Sequence, residues 1–327
     1  MRYERRVVAT NDSPRENTAS VGVRQLQVTA DDVGQRIDNF LLRHFKSVPR
    51  SRVYRLLRRG EVRVNGRRAR PDYRLASGDR LRLPPVRTGG DKPPARVPQS
   101  LIERIRAAIV YEDPDLLVIN KPAGLAVHGG SGLGFGVIEA LRAARPKETL
   151  ELVHRLDRET SGCLLVARRR ASLRTLHALM REGAVEKRYL TLLAGRWTLG
   201  RKRIDVPLKT RQLQGGERVV KAHAGGKSSA SQFCPIQFYA KRATFMEVQI
   251  ETGRTHQIRV HAAYAGHPVA GDDKYGDREF NAALRKLGLE RMFLHAHTVN
   301  FTWPETGREF TVSVPLDDNL KAVLDRL

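Results

Sequence analysis

The chain has 327 residues, long enough for two domains, and its 40% hydrophobic content is that of a packed globular protein rather than a disordered one. Lys and Arg number 59 against 35 Asp and Glu, a formal charge of +24, which attracts polyanions and makes nucleic acid or an anionic surface the natural partner. No apolar run reaches the roughly 20 residues that cross a bilayer, the charged first segment lacks the apolar stretch of an export signal, and Cys163 and Cys234 suffice for neither a disulfide framework nor a metal quartet.

Residues 1–20 are polar and aperiodic, and a flexible arm is predicted there. Residues 21–90 then carry 17 basic against 6 acidic side chains. Within them Ile37, Phe40, Leu41 and Phe45 recur at helical spacing. Val53, Leu56 and Leu57 do so again after Pro49, in a helix that should stop at Gly60. Short strands at Val62–Val64 and Arg67–Ala69 are joined by an Asn65-Gly66 hairpin turn, and another strand is expected at Arg80–Leu83. Arg50, Arg52, Arg55, Arg58, Arg59, Arg63, Arg67, Arg68 and Arg70 crowd the second helix and the hairpin. A solvated face is the ordinary reading of a charge run. Charges of a single sign repel at i,i+4, however, and favour phosphate binding instead. Together Gly34–Leu41, Ser51–Gly66 and Gly78–Pro84 resemble the RNA-binding domain of ribosomal small-subunit protein four, implying an S-four-like docking module over residues 21–84.

Residues 85–100 hold several prolines and read as a linker, leaving 101–327 as a second, larger domain. There Leu116–Ile119 is a buried-strand run that leads into Asn-Lys-Pro-Ala-Gly, residues 120–124. Arg188–Ala194 is an apolar strand candidate. Thr244–Glu251 alternates, with Met246, Val248 and Ile250 on one face. His256–Ala265 reads as a helix, Leu294–Phe301 and Glu309–Val314 as a strand pair, and a short helix should follow Asp317-Asp318-Asn319. Strands do not alternate regularly with long helices, so an α+β domain on a mixed, mainly antiparallel sheet is expected.

Several familiar chemistries fail at the level of motif. The glycine cluster His128–Gly136 matches neither the dinucleotide nor the P-loop spacing and is expected to be a flexible loop near the active site. The histidines show no HExxH-type pair, and His295 and His297, alternating on a strand, read as structural. No Ser-containing elbow of the hydrolase type occurs.

Three strings are more specific. His154–Gly162 sets Asp157 between Arg155 and Arg158 and closes in a Thr160-Ser161-Gly162 turn. A carboxylate held between cations resists protonation and suits nucleophilic work on an electron-poor carbon, although a surface turn with local ion pairs is the bland alternative. Glu186–Leu190 places Tyr189 in a strand, where its ring could stack on a base or serve as an ordinary core tyrosine. Thr252–Pro268 sets Arg259 between Ile258 and Val260, an expensive place for a cation without a buried anion, for which Asp157 is the candidate.

In this order and combination these strings resemble the large-subunit rRNA A-type family of pseudouridine synthases, from about Ile109 to the C-terminus. The resemblance implies an isomerase without cofactor or metal, acting on large-subunit ribosomal RNA as a cytoplasmic monomer with no membrane association. It implies Asp157 as the catalytic carboxylate, Tyr189 as the aromatic partner of the uracil, Arg259 as the partner of Asp157, and Arg155 as a wedge that fills the stack vacated by a flipped nucleotide. The alternatives left open are a sister synthase acting on other rRNA or tRNA uridines, and a non-catalytic RNA-binding protein of ribosome assembly.

Overall fold

The computed structural model describes residues 22–29, 32–45, 48–86, 96–129, 134–212 and 218–327. The predicted arm at 1–20, most of the linker, and residues 130–133 of the glycine cluster lie outside the described residues. The chain divides into two compact units, Met1–Pro94 and Ala95–Leu327.

The first unit contains β1 (Arg24–Gln27), α1 (Ile37–His44), α2 (Arg50–Arg59), β2 (Arg63–Val64), β3 (Arg67–Arg68) and β4 (Arg80–Leu83). Its antiparallel sheet has the order β1-β4-β2-β3. The apolar faces of α1 and α2 meet it in one core that includes Ile37, Phe40, Leu41, Val53, Leu57 and Leu81. Helix α2 ends as its sequence requires: Gly60 adopts a left-handed φ of 68° and donates back to Leu57. The Asn65-Gly66 pair, at φ 50° and 78°, supplies the two left-handed residues that a tight hairpin needs. Strand β1 carries no alternating apolar signal, and its pairing with β4 was not legible.

The second unit contains α3 (Gln99–Ala107), β5 (Ile109–Glu112), β6 (Leu116–Lys121), α4 (Val137–Ala144), β7 (Glu151–Leu152), β8 (Ser161–Ala167), α5 (Arg170–Glu182) and β9 (Glu186–Ala194). There follow β10 (Lys202–Asp205), β11 (Leu208–Gln212), β12 (Arg218–Ala222), β13 (Ala230–Tyr239), β14 (Ala243–Ile250), α6 (Gln257–Tyr264), α7 (Arg278–Lys286), β15 (Leu294–Thr302), β16 (Glu309–Ser313) and α8 (Asp318–Asp325). The main sheet runs β10-β13-β14-β9-β15-β8-β6-β5, with β16 added to β15 and β7 to β8. Only β8 and β15 pair in parallel among the described strands, so the sheet is mixed and mainly antiparallel. Strands β11 and β12 form a separate hairpin.

Alternation assigns the faces of this sheet. Met246, Val248 and Ile250 of β14 lie in one large core together with Tyr189 and Leu193 of β9. Leu192 of β9 faces the other way, into a smaller core with α7 and α8 through Leu284, Leu320 and Val323. Both helices are capped by an aspartate, Asp277 to Phe280 N–H and Asp317 to Leu320 N–H. Central strand β8 is buried along its whole length, which corrects the expected Thr160-Ser161-Gly162 turn: Ser161 already opens the strand. A continuous apolar run buried on both faces has no alternation to announce it.

Candidate active site

The loop 153–160 delivers Asp157 to the edge of the sheet, and its path is fixed from both ends. Val153 N–H donates to Leu165 O, while the His154 ring accepts from Leu165 N–H at 3.1 Å, an acceptor role that fits an imidazole whose pKa burial pushes down to about 4. From the other side Lys121, fully buried at the end of β6, donates to the carbonyls of Pro122, Leu125 and Arg158 at 2.8, 2.7 and 2.9 Å. The three N–H bonds of its ammonium thereby tie the 122–125 turn to the Asp157 loop. Burial pulls the Lys121 pKa down to about 7, against Glu159 and Asp157, which raise it. The Asn-Lys-Pro-Ala-Gly string marked this spot, but nothing in it announced the triple bond.

Around Asp157 the partners differ from those expected. Arg155 and Arg158 are exposed, and Arg158 pairs with its neighbour Glu159 at 2.8 Å. Neither arginine pairs with Asp157 among the described residues. The side chains that face Asp157 come from α6 and its N-cap: Arg259 Nη1 stands 3.6 Å and His256 Nε2 3.9 Å from the same oxygen, Oδ2. No described residue hydrogen-bonds Oδ1.

Arg259 is 8% exposed, and its main anion is Asp272 rather than Asp157. Nε and Nη2 donate to the two Asp272 oxygens at 2.7 and 2.8 Å in a bidentate fork, and the guanidinium lies 5.0 Å from the centroid of the Tyr275 ring. Asp272 Oδ1 also accepts from the backbone N–H groups of Lys274 and Tyr275. Burial pushes the Asp272 carboxyl up, yet the hydrogen bonds and charge of Arg259 and these amides hold it below the ordinary carboxylate range. Asp272 and Tyr275 are therefore site residues missed at the level of sequence. The signal available was the cost of a buried Arg259, which demanded an anion without saying which.

Helix α6 is one residue shorter at each end than its predicted range. His256, at φ 55°, is its N-cap in the left-handed region, and Gln257 pins the start by donating to Ala230 O and Ser231 Oγ while accepting from Thr252 and from Arg254 N–H. The His256 ring meets Tyr275 edge-on, with Nδ1 2.8 Å from the tyrosine hydroxyl.

Tyr189 is 8% exposed on β9, and its hydroxyl makes no hydrogen bond to the described residues. Burial, with Asp157 and Cys163 adding to it, pushes the phenol pKa up, so it is neutral throughout the physiological range. Tyr189 and Asp157 line the same small cavity with Arg259, Ile250 and Leu294. That cavity adjoins an open cleft of about 710 Å³ lined by Arg155, Asp157, His256, Arg259, Asp272 and Arg291, among others. Tyr189, Asp157 and Arg259 thus converge, although they lie far apart in the chain. Of the glycine cluster, His128 lines the cleft and Glu139 clamps the flanks by accepting from Gly129 and Gly136 N–H. His295 donates from Nε2 to Val314 O and bonds Ser161 Oγ through Nδ1, and His297 donates from Nδ1 to Val314 O, as structural histidines do. Among the described residues no group of His, Cys, Asp and Glu could hold a metal ion, and no helix is long and apolar enough to cross a membrane.

On the first unit, Arg50, Arg55, Arg58, Arg59, Arg63, Arg67 and Arg68 are exposed and Arg52 is half-buried. Arg50 lies over the Tyr54 ring, and Arg59 approaches Glu61 at 4.0 Å. Arg55, Arg58, Arg63, Arg67 and Arg68 place further exposed positive charge on α2 and the β2–β3 hairpin.

Residues 115–264 match the family model described as RNA pseudouridylate synthase, and residues 35–81 match the S4 domain. The chain is 50% identical over 314 residues to ribosomal large subunit pseudouridine synthase C of Escherichia coli K12, covering 95% of this chain and 98% of that protein. The same-named protein of Haemophilus ducreyi is 49% identical over the same length and coverage. Among solved structures, human RNA pseudouridylate synthase domain containing 4 is similar at a TM-score of 0.57 and 25% identity, over 69% of this chain and 95% of that one. Human RNA pseudouridylate synthase domain containing 1 is similar at a TM-score of 0.53 and 28% identity, over 64% and 83%.

Proposed function

The chain belongs to the RNA pseudouridylate synthase family, and on that premise we propose that it converts specific uridines of large-subunit ribosomal RNA to pseudouridine. The substrate follows the relatives, which are named for the large ribosomal subunit and match nearly end to end. In the reaction the bond from the uracil ring nitrogen to ribose breaks, the base turns, and its carbon five joins the ribose carbon. The proton leaves carbon five, and the freed nitrogen gains one, so neither a redox partner nor an energy source is required.

Asp157 is the carboxylate that works on the reacting nucleotide, Tyr189 stacks on the uracil, and Arg259 holds the carboxylate from behind. The observation that carries this reading is the meeting of the three at one cavity. Oδ2 of Asp157 faces Arg259 and His256, which leaves Oδ1 as the oxygen free to act. A target base inside stacked RNA must be flipped out to reach the cleft, and the exposed Arg155 at its rim fills the vacated place. The exposed arginines of the S4 domain, Arg55, Arg58 and Arg63 among them, dock RNA through its phosphates. The two cysteines, Cys163 and Cys234, form no disulfide, which suits a reducing cytoplasm.

Primer-extension mapping of pseudouridine in RNA from cells lacking the protein tests the substrate. Loss of particular pseudouridines from large-subunit rRNA, restored by the gene, is expected. Loss confined to tRNA would overturn the substrate while keeping the chemistry.

A further inference from the structure

His256 occupies a backbone conformation that few residues other than glycine adopt, and it does so one residue before the helix that carries Arg259. Such positions persist only where the surroundings over-determine them. Here the side chain is held on both edges. Tyr275 Oη accepts the N–H of Val220, on the β11–β12 hairpin, at 3.0 Å. The same hydroxyl lies 2.8 Å from His256 Nδ1, to which its single proton can be given. With Nδ1 an acceptor, a neutral His256 carries its hydrogen on Nε2, the atom that faces Asp157 Oδ2.

We propose that His256 is a positioning residue of the reaction: Tyr275 fixes its tautomer, and its Nε2–H, together with Arg259, restrains Oδ2 of Asp157 so that Oδ1 is presented to the nucleotide. The inference rests on Asp157 being the working carboxylate. The present 3.9 Å separation is longer than a hydrogen bond, so the restraint requires it to shorten when the carboxylate engages the nucleotide.

The charged groups around the ring are consistent with the neutral form. Burial lowers the His256 pKa; Arg259 and Lys274 lower it as well, while Asp157 and Asp272 raise it without prevailing. Protonation at Nδ1 would bring a second hydrogen against the Tyr275 hydroxyl, which would have to turn its own away and loosen the ring. Donation from Tyr275 to Nδ1 favours the neutral imidazole, so its removal raises the pKa.

The test is single-turnover pseudouridine formation on an rRNA fragment with three variants. Asn accepts left-handed backbone better than any other non-glycine residue but places its amide near the Nδ1 position. Gln suits the backbone less well yet reaches the Nε2 position with an N–H. His256→Asn should lower the rate constant by about 10- to 100-fold with RNA affinity little changed, as a misplaced reacting group does, and His256→Gln should recover most of it. Tyr275→Phe should move the acid limb of the pH profile to higher pH. A residue needed only to start the helix predicts the opposite order, Asn above Gln, and an unmoved acid limb; either result overturns the proposal. Asp157→Asn, run in parallel, separates the two ideas, because turnover by that variant removes the underlying reading whatever His256 does.

Discussion

At the scale of the residue, the site is organised around buried charge. Arg259 serves two carboxylates unequally, a bidentate fork to Asp272 and a looser approach to Asp157. The fork fixes the guanidinium, while the longer approach leaves Asp157 less constrained. Asp157, Tyr189 and Arg259 were legible because each sits in a string with a chemical oddity: a carboxylate among cations, a tyrosine after two cations, a cation among aliphatics. The identity of their neighbours was not. Arg155 and Arg158 lie close to Asp157 in sequence but form no ion pair with it among the described residues, whereas Asp272 lies 13 residues beyond Arg259 in a turn with no periodicity. Replacing Asp272 with Asn leaves a buried guanidinium without its main anion and should destabilise the protein by about 3–5 kcal/mol in urea unfolding at neutral pH. The Asp272 carboxyl titrates below its unfolded value, so its contribution is present above about pH 4 and is lost as pH falls through the lower folded value. The gap between parent and Asp272→Asn should therefore narrow in acid.

At the scale of the element, the junction of β8 with β15 places the Asp157 loop. Gly162 has a φ of 103°, and a Cβ there would lie 2.1 Å from the Ala296 carbonyl oxygen across the parallel pair. Gly162→Ala should cost at least about 1–3 kcal/mol from backbone strain alone and lower the yield of folded protein, as read by thermal unfolding. Strands that alternate, such as β14, and helices with capping residues, such as α8, were readable one by one. Strand β8 was not, since burial on both faces erases alternation, and β10 to β13 carried no distinctive pattern. For helix α2 the sign of the charge was the informative feature. Arg55→Ala and Arg58→Ala should each weaken RNA binding and reduce the slope of log affinity against log salt by roughly 0.7–0.9, the share of one phosphate contact.

At the scale of the whole molecule, two units have separate hydrophobic cores, one small and strongly basic, the other carrying the cleft. A composition with an excess of cations could indicate a polyanionic partner, but composition could not say whether chemistry accompanied binding. That came from three strings whose convergence depends on sheet order, which places β9 beside β14 and β15 and brings the loop before β8 within reach of α6. A fragment of residues 96–327 should keep a cooperative unfolding transition while losing most of its efficiency on full-length rRNA, measured as pseudouridine formed per enzyme. Equal efficiency with and without residues 1–95 would mean that the basic unit is not the docking element.

If Asp157 performs the chemistry rather than merely supporting the fold or the RNA, its charge is what turnover needs. Asp157→Asn preserves shape and removes the anion, so the decisive measurement pairs RNA affinity with pseudouridine yield for this single variant. Affinity close to that of the parent protein and no detectable pseudouridine are expected. Pseudouridine formation by the Asn variant would contradict that role for Asp157.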